Sequence, residues 1–175
     1  VVLPLEYNET HAAIPRLAMG CAIWTMQRAP LAREKVLFII DEAAALQKIA
    51  RFPNWLATLR KYRTVLWPIF QNIGHVKALY GEEWQTFIAN CGLRQFLGAS
   101  DLQTAEYVQR LLGEHTTHTL SVNHKGEENR SEARRALMTV DEILYLDGDQ
   151  QIVFCGNDRP MLLNKTCYWE RPELR

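Results

Sequence analysis

The sequence has no uninterrupted apolar run approaching the roughly 18–20 residues that a membrane-crossing helix needs, and no charged-then-apolar signal segment opens it. A span within this stretch is excluded, and the piece by itself is expected to be soluble. Neither charge is in excess, since 20 Lys and Arg balance 20 Asp and Glu. That excludes a strongly basic nucleic-acid binder but not a local basic patch. The four cysteines, Cys21, Cys91, Cys155 and Cys167, lie far apart, with no C-x-x-C pair and no histidine at metal-ligand spacing. Reduced, mostly buried thiols are expected rather than a zinc site or a disulfide framework. No internal repeat occurs.

What is present suffices for a buried core: 175 residues, 47% of them hydrophobic, about one ordinary domain. The chain enters at once on an apolar run (Val1, Val2, Leu3, Leu5), which reads as a strand cut from a longer protein, so a fragment is expected. Asn8 and Thr10 are candidate N-caps for a helix reaching about Met26, in which Ile14, Leu17, Ala18, Cys21 and Ile23 recur at helical spacing. Val36 to Ile40 is a short, continuously apolar run that stops at Asp41-Glu42, the pattern of a parallel strand buried on both faces. Pro53 to about Tyr62 favours helix, and Val65 to Phe70 is a second buried-strand run, ending at Gln71-Asn72.

Helices are expected over Val76–Tyr80, stopped by Gly81, and over Glu82–Ala89, with a strand at Leu93–Leu97. Ser100-Asp101-Leu102-Gln103 has the form of a capping box for a helix over Asp101–Leu112 that ends at Gly113, and Thr139-Val140-Asp141-Glu142 is a second box. Residues 121–136 are polar and mixed in charge with almost nothing to bury, which predicts a mobile loop. Gln151–Phe154 and Met161–Leu163 read as closing strands around a Gly156-Asn157-Asp158 turn. Alternating strands and helices predict one α/β domain over residues 1–175 with a mainly parallel sheet flanked by helices.

In such sheets ligands sit beyond the carboxyl ends of the strands, and Asp41-Glu42 and Gln71 both fall there. An apolar strand ending in Asp-Glu is what a Walker B site requires. Its first carboxylate holds Mg²⁺ through water, and its second accepts a proton from the water attacking a γ-phosphate. The same pair equally suits the first turn of a following helix. Gln71 is placed to orient that water or sense the phosphate, or else is a turn residue. Arg60, Lys61 and Arg63 form a basic cluster just before the second strand, consistent either with an arginine offered to a neighbouring subunit's nucleotide or with a solvated helix end. His11, His75, His115, His118 and His124 show no mutual spacing for a metal or a dyad and are expected at the surface or as caps. No G-x-x-x-x-G-K-S/T occurs, so either the Walker reading is wrong or a P-loop lies upstream of Val1.

Val36-Leu37-Phe38-Ile39-Ile40-Asp41-Glu42, Thr58-Leu59-Arg60-Lys61 and Phe70-Gln71-Asn72, followed by Leu79-Tyr80-Gly81, resemble the C-terminal half of the nucleotide-binding domain of type IV secretion coupling proteins, the TraG/TraD group. Later blocks fit in order: Ser100 to Val108 with Leu111-Leu112-Gly113, Arg135 to Ile143, and Asn157-Asp158-Arg159-Pro160-Met161 ending at Tyr168. The resemblance covers about residues 36 to 168. It implies a RecA/FtsK-like P-loop NTPase core and a homo-oligomer, hexameric in the family, that is anchored in the inner membrane with this part on the cytoplasmic side. It implies Mg²⁺ and ATP as cofactors of the full-length protein, none held tightly by this fragment. The implied cargo is relaxase-bound single-stranded DNA or protein effectors, passed to secretion-channel components. Carried onto this chain, Asp41 and Glu42 match the Walker B pair, Gln71 the sensor glutamine and Arg60 the candidate arginine finger. Glu82 and Glu83 stand where some relatives carry a basic residue, and the P-loop, membrane anchor and helical accessory domain are outside this sequence. The fragment alone is expected to be inactive. Another RecA-like DNA translocase or helicase, and a non-catalytic α/β interaction module whose acids only cap a helix, are the alternatives.

Overall fold

The computed structural model describes residues 12–28, 34–122 and 128–174. The expected opening strand and its following caps lie outside them. The chain divides after Arg94 into two compact units.

In the first unit, helix α1 (Ala13–Arg28) precedes strand β1 (Val36–Ile40), and a 3-10 turn (Ala43–Leu46) leads to helix α2 (Phe52–Thr58). Pro53 sits in the first turn of α2, where its missing N–H costs nothing. A second 3-10 turn (Leu59–Tyr62), strand β2 (Thr64–Pro68), helix α3 (Ile73–Tyr80), a further 3-10 turn and helix α4 (Trp84–Ala89) follow. Strands β1 and β2 pair in parallel, from Val36 opposite Thr64 to Ile40 opposite Pro68. The expected helix over Pro53–Tyr62 therefore tightens in its last turn, and β2 stops at Pro68, whose ring removes a donor, rather than at Phe70.

Aromatic rings make the core of this unit. Phe87 packs on Tyr80 at 4.6 Å, on Phe52 at 5.5 Å and edge-on against Phe70 at 5.8 Å between ring centroids. Burial of β1 and β2 departs from expectation. Ile40 and Thr64 are buried on one face of the pair, while the opposite face leaves Leu37 50%, Ile39 59%, Val65 45% and Trp67 44% exposed. The packed side chains of this unit cover one face of the pair only.

The second unit holds a three-stranded sheet in the order β3–β6–β7, formed by β3 (Leu93–Phe96, its second half in this unit), β6 (Gln150–Cys155) and β7 (Met161–Asn164). Strands β6 and β7 are antiparallel. Helix α5 (Leu102–Leu112) and the short helix α6 (Val140–Leu144) lie against the same core, built from Ala105, Val108, Ile143, Ile152 and Phe154. Asp101 rather than Ser100 caps α5, its Oδ1 accepting from the Thr104 amide at 3.0 Å and its Oδ2 from the Thr104 hydroxyl at 2.7 Å. Gly113, at φ 80, ends that helix in a backbone conformation that side chains resist. The Thr139–Glu142 capping box forms as the sequence predicts.

The stretch expected as a loop is instead half of a hairpin. Strand β4 (Glu114–Val122) and strand β5 (Glu128–Ala136) pair antiparallel from Glu114 opposite Ala136 to Val122 opposite Glu128. The Gly113 carbonyl accepts from the Leu137 amide at 3.0 Å and closes the base. A polar stretch with almost nothing to bury predicts a loop, but a ladder of main-chain bonds needs no apolar face to form. The tip, residues 123–127, lies outside the described residues. The thiols also differ from expectation: Cys21 is exposed, and Cys91, Cys155 and Cys167 are half-buried.

Candidate functional site

Where β1 ends, the main chain of one residue organises the turn. The Ile69 amide donates to the Ile40 carbonyl at 2.9 Å, and the Ile69 carbonyl accepts from the Ala43 amide at 2.8 Å. Asp41 and Glu42 are thus a two-residue detour pinned on both sides by the continuation of β2. The detour puts Glu42 in the left-handed region, at φ 50 and ψ 57, a conformation that non-glycine residues adopt at some cost and that recurs at functional sites.

The Glu42 side chain makes no bond to the 3-10 turn it precedes. Instead its Oε2 accepts a hydrogen bond from Gln71 Nε2 at 2.5 Å, across 29 residues of chain. The two residues predicted at neighbouring strand ends are therefore in direct contact, and the helix-capping reading of Glu42 does not describe its side chain. Gln71 is fixed in turn by its successor: Asn72 Oδ1 accepts from the His75 amide at 2.9 Å and caps α3, so Gln71 stands immediately before a helix start. Glu42 is half-buried, while Asp41 and Gln71 are exposed.

Arg60 lies in the 3-10 turn between α2 and β2, its neighbour Leu59 buried beneath it and its own side chain exposed. Among the described residues no ion pair involves Arg60, and the side-chain hydrogen bond of Glu42 with Gln71 does not include it. Lys61 lies 5.0 Å from the Tyr62 ring centroid, and Arg63 closes the turn at φ 55. His75, expected at the surface or as a cap, is half-buried in the first turn of α3, with a buried Nδ1 that has no partner. Elsewhere in this unit burial pushes up the Tyr80 hydroxyl, against a smaller opposing pull from a hydrogen bond with the Ile49 main chain, and it raises the Cys91 thiol against the nearby Arg94.

Among the described residues no group of three His, Cys, Asp or Glu side chains converges to hold a metal. An exposed carboxylate at a strand end, as at Asp41, nonetheless suits Mg²⁺, which keeps several waters and often takes only one or two carboxylates from a protein. The sequence did not reveal the direct Glu42–Gln71 bond, the left-handed Glu42 or the Asn72 cap. Of these only the cap had a signal, an Asn three residues before His75 at the start of an apolar run.

Residues 35–148 match the family described as the TraM recognition site of TraD and TraG. The chain is 26% identical over 185 residues to the conjugal transfer protein TraG of Agrobacterium fabrum, covering 100% of this chain and 28% of that protein. It is 25% identical over 182 residues to the type IV secretion system-coupling protein VirD4 of Bartonella henselae, covering 98% of this chain and 28% of that protein. The chain thus spans under a third of these relatives' length. Among solved structures, the bacterial conjugative coupling protein TrwBdeltaN70 in its unbound form superposes with a TM-score of 0.77 at 22% identity, over 94% of this chain and 39% of that one. A structure of the plasmid coupling protein TrwB in complex with ADP and Mg²⁺ gives a TM-score of 0.75 at 22% identity, over 94% and 38%. The likeness carries the α/β fold alone. Among the described residues no helix is long and apolar enough to cross a membrane.

Proposed function

Because the chain belongs to the family of the TraM recognition site of TraD and TraG, we propose that it is the C-terminal part of the motor ATPase domain of a coupling protein serving conjugation or type IV secretion. The observation that carries the reading is the 2.5 Å bond between Glu42 and Gln71 at the ends of two parallel apolar strands. Gln71 holds Oε2 of the carboxylate, which leaves Oε1 to take a proton. Glu42 is then the base, and Gln71 orients that base and the water beside it. Asp41, exposed one residue earlier, is the group to hold Mg²⁺ through water. Bound nucleotide and metal supply the phosphoryl transfer itself; the chain's part is to place and accept the proton.

Arg60 is the residue offered to the nucleotide of a neighbouring subunit. Its exposure on a turn anchored by buried Leu59 supports that role. The assembly is a ring of identical subunits, hexameric as in the family, on the cytoplasmic side of a membrane anchor carried elsewhere in the full-length protein. Its cargo is relaxase-bound single-stranded DNA or effector proteins, handed to components of the secretion channel. A TraM-like protein is a further candidate partner, after the family's description.

The test uses the full-length protein. Glu42→Gln keeps the shape of the side chain but cannot take a proton, so nucleotide binding should persist while hydrolysis is lost. Arg60→Ala should lower turnover on the order of 10³–10⁵. Mixing the two variants should restore some activity, because mixed rings contain interfaces with an intact Glu42 facing an intact Arg60. Undiminished turnover of Glu42→Gln would remove Glu42 as the base. Failure of mixing to rescue would place Arg60 outside the neighbour's site.

A further inference from the structure

We infer that Gln47 is a positioning residue for the Glu42–Gln71 pair, standing in a backbone conformation suited to glycine, so that the residue at 47 decides how firmly Glu42 is held against Gln71. The inference rests on the geometry of the pair and holds whether or not that pair serves a nucleotide.

Gln47 has φ 58 and ψ −172, a region occupied almost only by glycine because a Cβ collides there with the adjoining peptide groups. Together with Glu42 at φ 50, it brackets the 3-10 turn Ala43–Leu46 with two left-handed residues. The turn is wound tightly, the Ala45 amide donating to the Glu42 carbonyl at 2.9 Å and the Gln47 amide to the Ala44 carbonyl at 3.0 Å.

Such a path persists only when its ends are fixed, and both are. Upstream, Ala43 is buried and its amide is bound to Ile69. Downstream, Phe52 is 2% exposed, stacks on Phe87, and donates its amide to the Ile49 carbonyl at 2.9 Å. Between these anchors the chain must turn at 47. The Gln47 side chain is exposed, so substitution there changes the main-chain preference and little else. A glycine keeps the path without its steric cost. A β-branched residue raises that cost, and with Ala43 held by Ile69 the relief open to the turn is to give up the bond from the Ala45 amide to the Glu42 carbonyl, which frees the Glu42 main chain on that side and loosens its carboxylate against Gln71.

The experiment compares Gln47→Gly, Gln47→Ala and Gln47→Val in the full-length protein, reading hydrogen exchange of the amides of residues 45 and 47 and the side-chain amide signal of ¹⁵N-labelled Gln71, with Glu42→Ala marking the unbonded position of that signal. Gln47→Gly should raise protection about 5- to 30-fold, the relief of strain outweighing the greater freedom of an unfolded glycine. Gln47→Ala should leave protection near the parent value. Gln47→Val should lower it and move the Gln71 signal toward the Glu42→Ala position. If glycine protects no better than alanine, position 47 carries no strain and the inference falls. If protection follows the expected order but the Gln71 signal stays put in Gln47→Val, the strain is real but does not position Glu42, and the inference falls as well.

Discussion

Strands β1 and β2 are apolar at nearly every position, whereas β4 and β5 carry scarcely an apolar residue, and every position of theirs whose side chain is described is exposed or half-buried. Both are two-stranded sheets. The parallel pair is five residues long and is held by what lies under one face: buried Ile40 and Thr64 next to a core centred on Phe87. The hairpin is held by its own ladder of nine facing pairs and by ties at its base, the Gly113–Leu137 bond and the ion pair of Arg135 with Glu142 at 3.0 Å. Hydrophobic content therefore identifies strands whose stability comes from packing. It is silent about strands whose stability comes from main-chain pairing, and an isolated pair of that kind is marginal in water.

The sharpest way to break the contrast is to empty the core beneath the parallel pair. Phe87→Ala should cost about 3–5 kcal/mol in chemical unfolding, because rings on several sides lose their packing, and amide protection in β1 and β2 should fall with it. If the loss is under about 1 kcal/mol, the pair does not depend on that core.

A smaller effect is expected at the base of the hairpin. Thr139→Ala removes the hydroxyl that accepts from the Glu142 amide and should cost about 1 kcal/mol by thermal or urea unfolding. The bond from the Thr139 amide, chiefly, holds the Glu142 carboxyl below its usual range, with the Thr139 hydroxyl and Arg135 adding to it against a partial desolvation. A carboxyl depressed in the folded state stabilises it above the unfolded value of about 4.3, and that contribution disappears as pH falls through the lower folded value. Glu142→Gln should therefore flatten the acid side of the stability profile. An unchanged acid limb would show that the box contributes nothing there.

Ala133→Pro, on β5, should disrupt the ladder locally, speeding amide exchange through β4 and β5 while moving the global midpoint by no more than about 0.5 kcal/mol. A large global shift would mean that the hairpin is part of the core after all. The smallest effect is expected on the open face of the parallel pair: Ile39→Thr should change stability by less than about 0.5 kcal/mol, since a residue already 59% exposed has little burial to lose.

These contrasts also mark what the residues could reveal. Strand β1 was legible to the residue because its apolar run stops at two acids, and α6 because its capping box is complete. The placing of Glu42 and Gln71 at adjacent strand ends followed from two such runs in parallel. Their bond did not, because it depends on Ile69 pinning the detour and on Asn72 starting a helix beside it. Gln47 was unreadable for the reason that makes it informative: nothing in its side chain announces a glycine-like backbone. The hairpin had a faint signal in its β-branched Thr116, Thr117, Thr119 and Val122, outweighed by the charge around them.

Ile69 has a practical meaning for genetics. The detour bearing Asp41 and Glu42 is drawn by main-chain atoms on both sides, Ile40 and Ala43 bonding to the same residue, so its course does not depend on which acids it carries. Alleles that put an unbranched residue such as Asn or Gln at either position, which the left-handed backbone of Glu42 still admits, should yield protein of normal abundance, so that any phenotype reports on the lost carboxylate rather than on folding. Such alleles can be placed in merodiploids beside the parent gene, where an assembled but inert subunit would reveal itself by dominance.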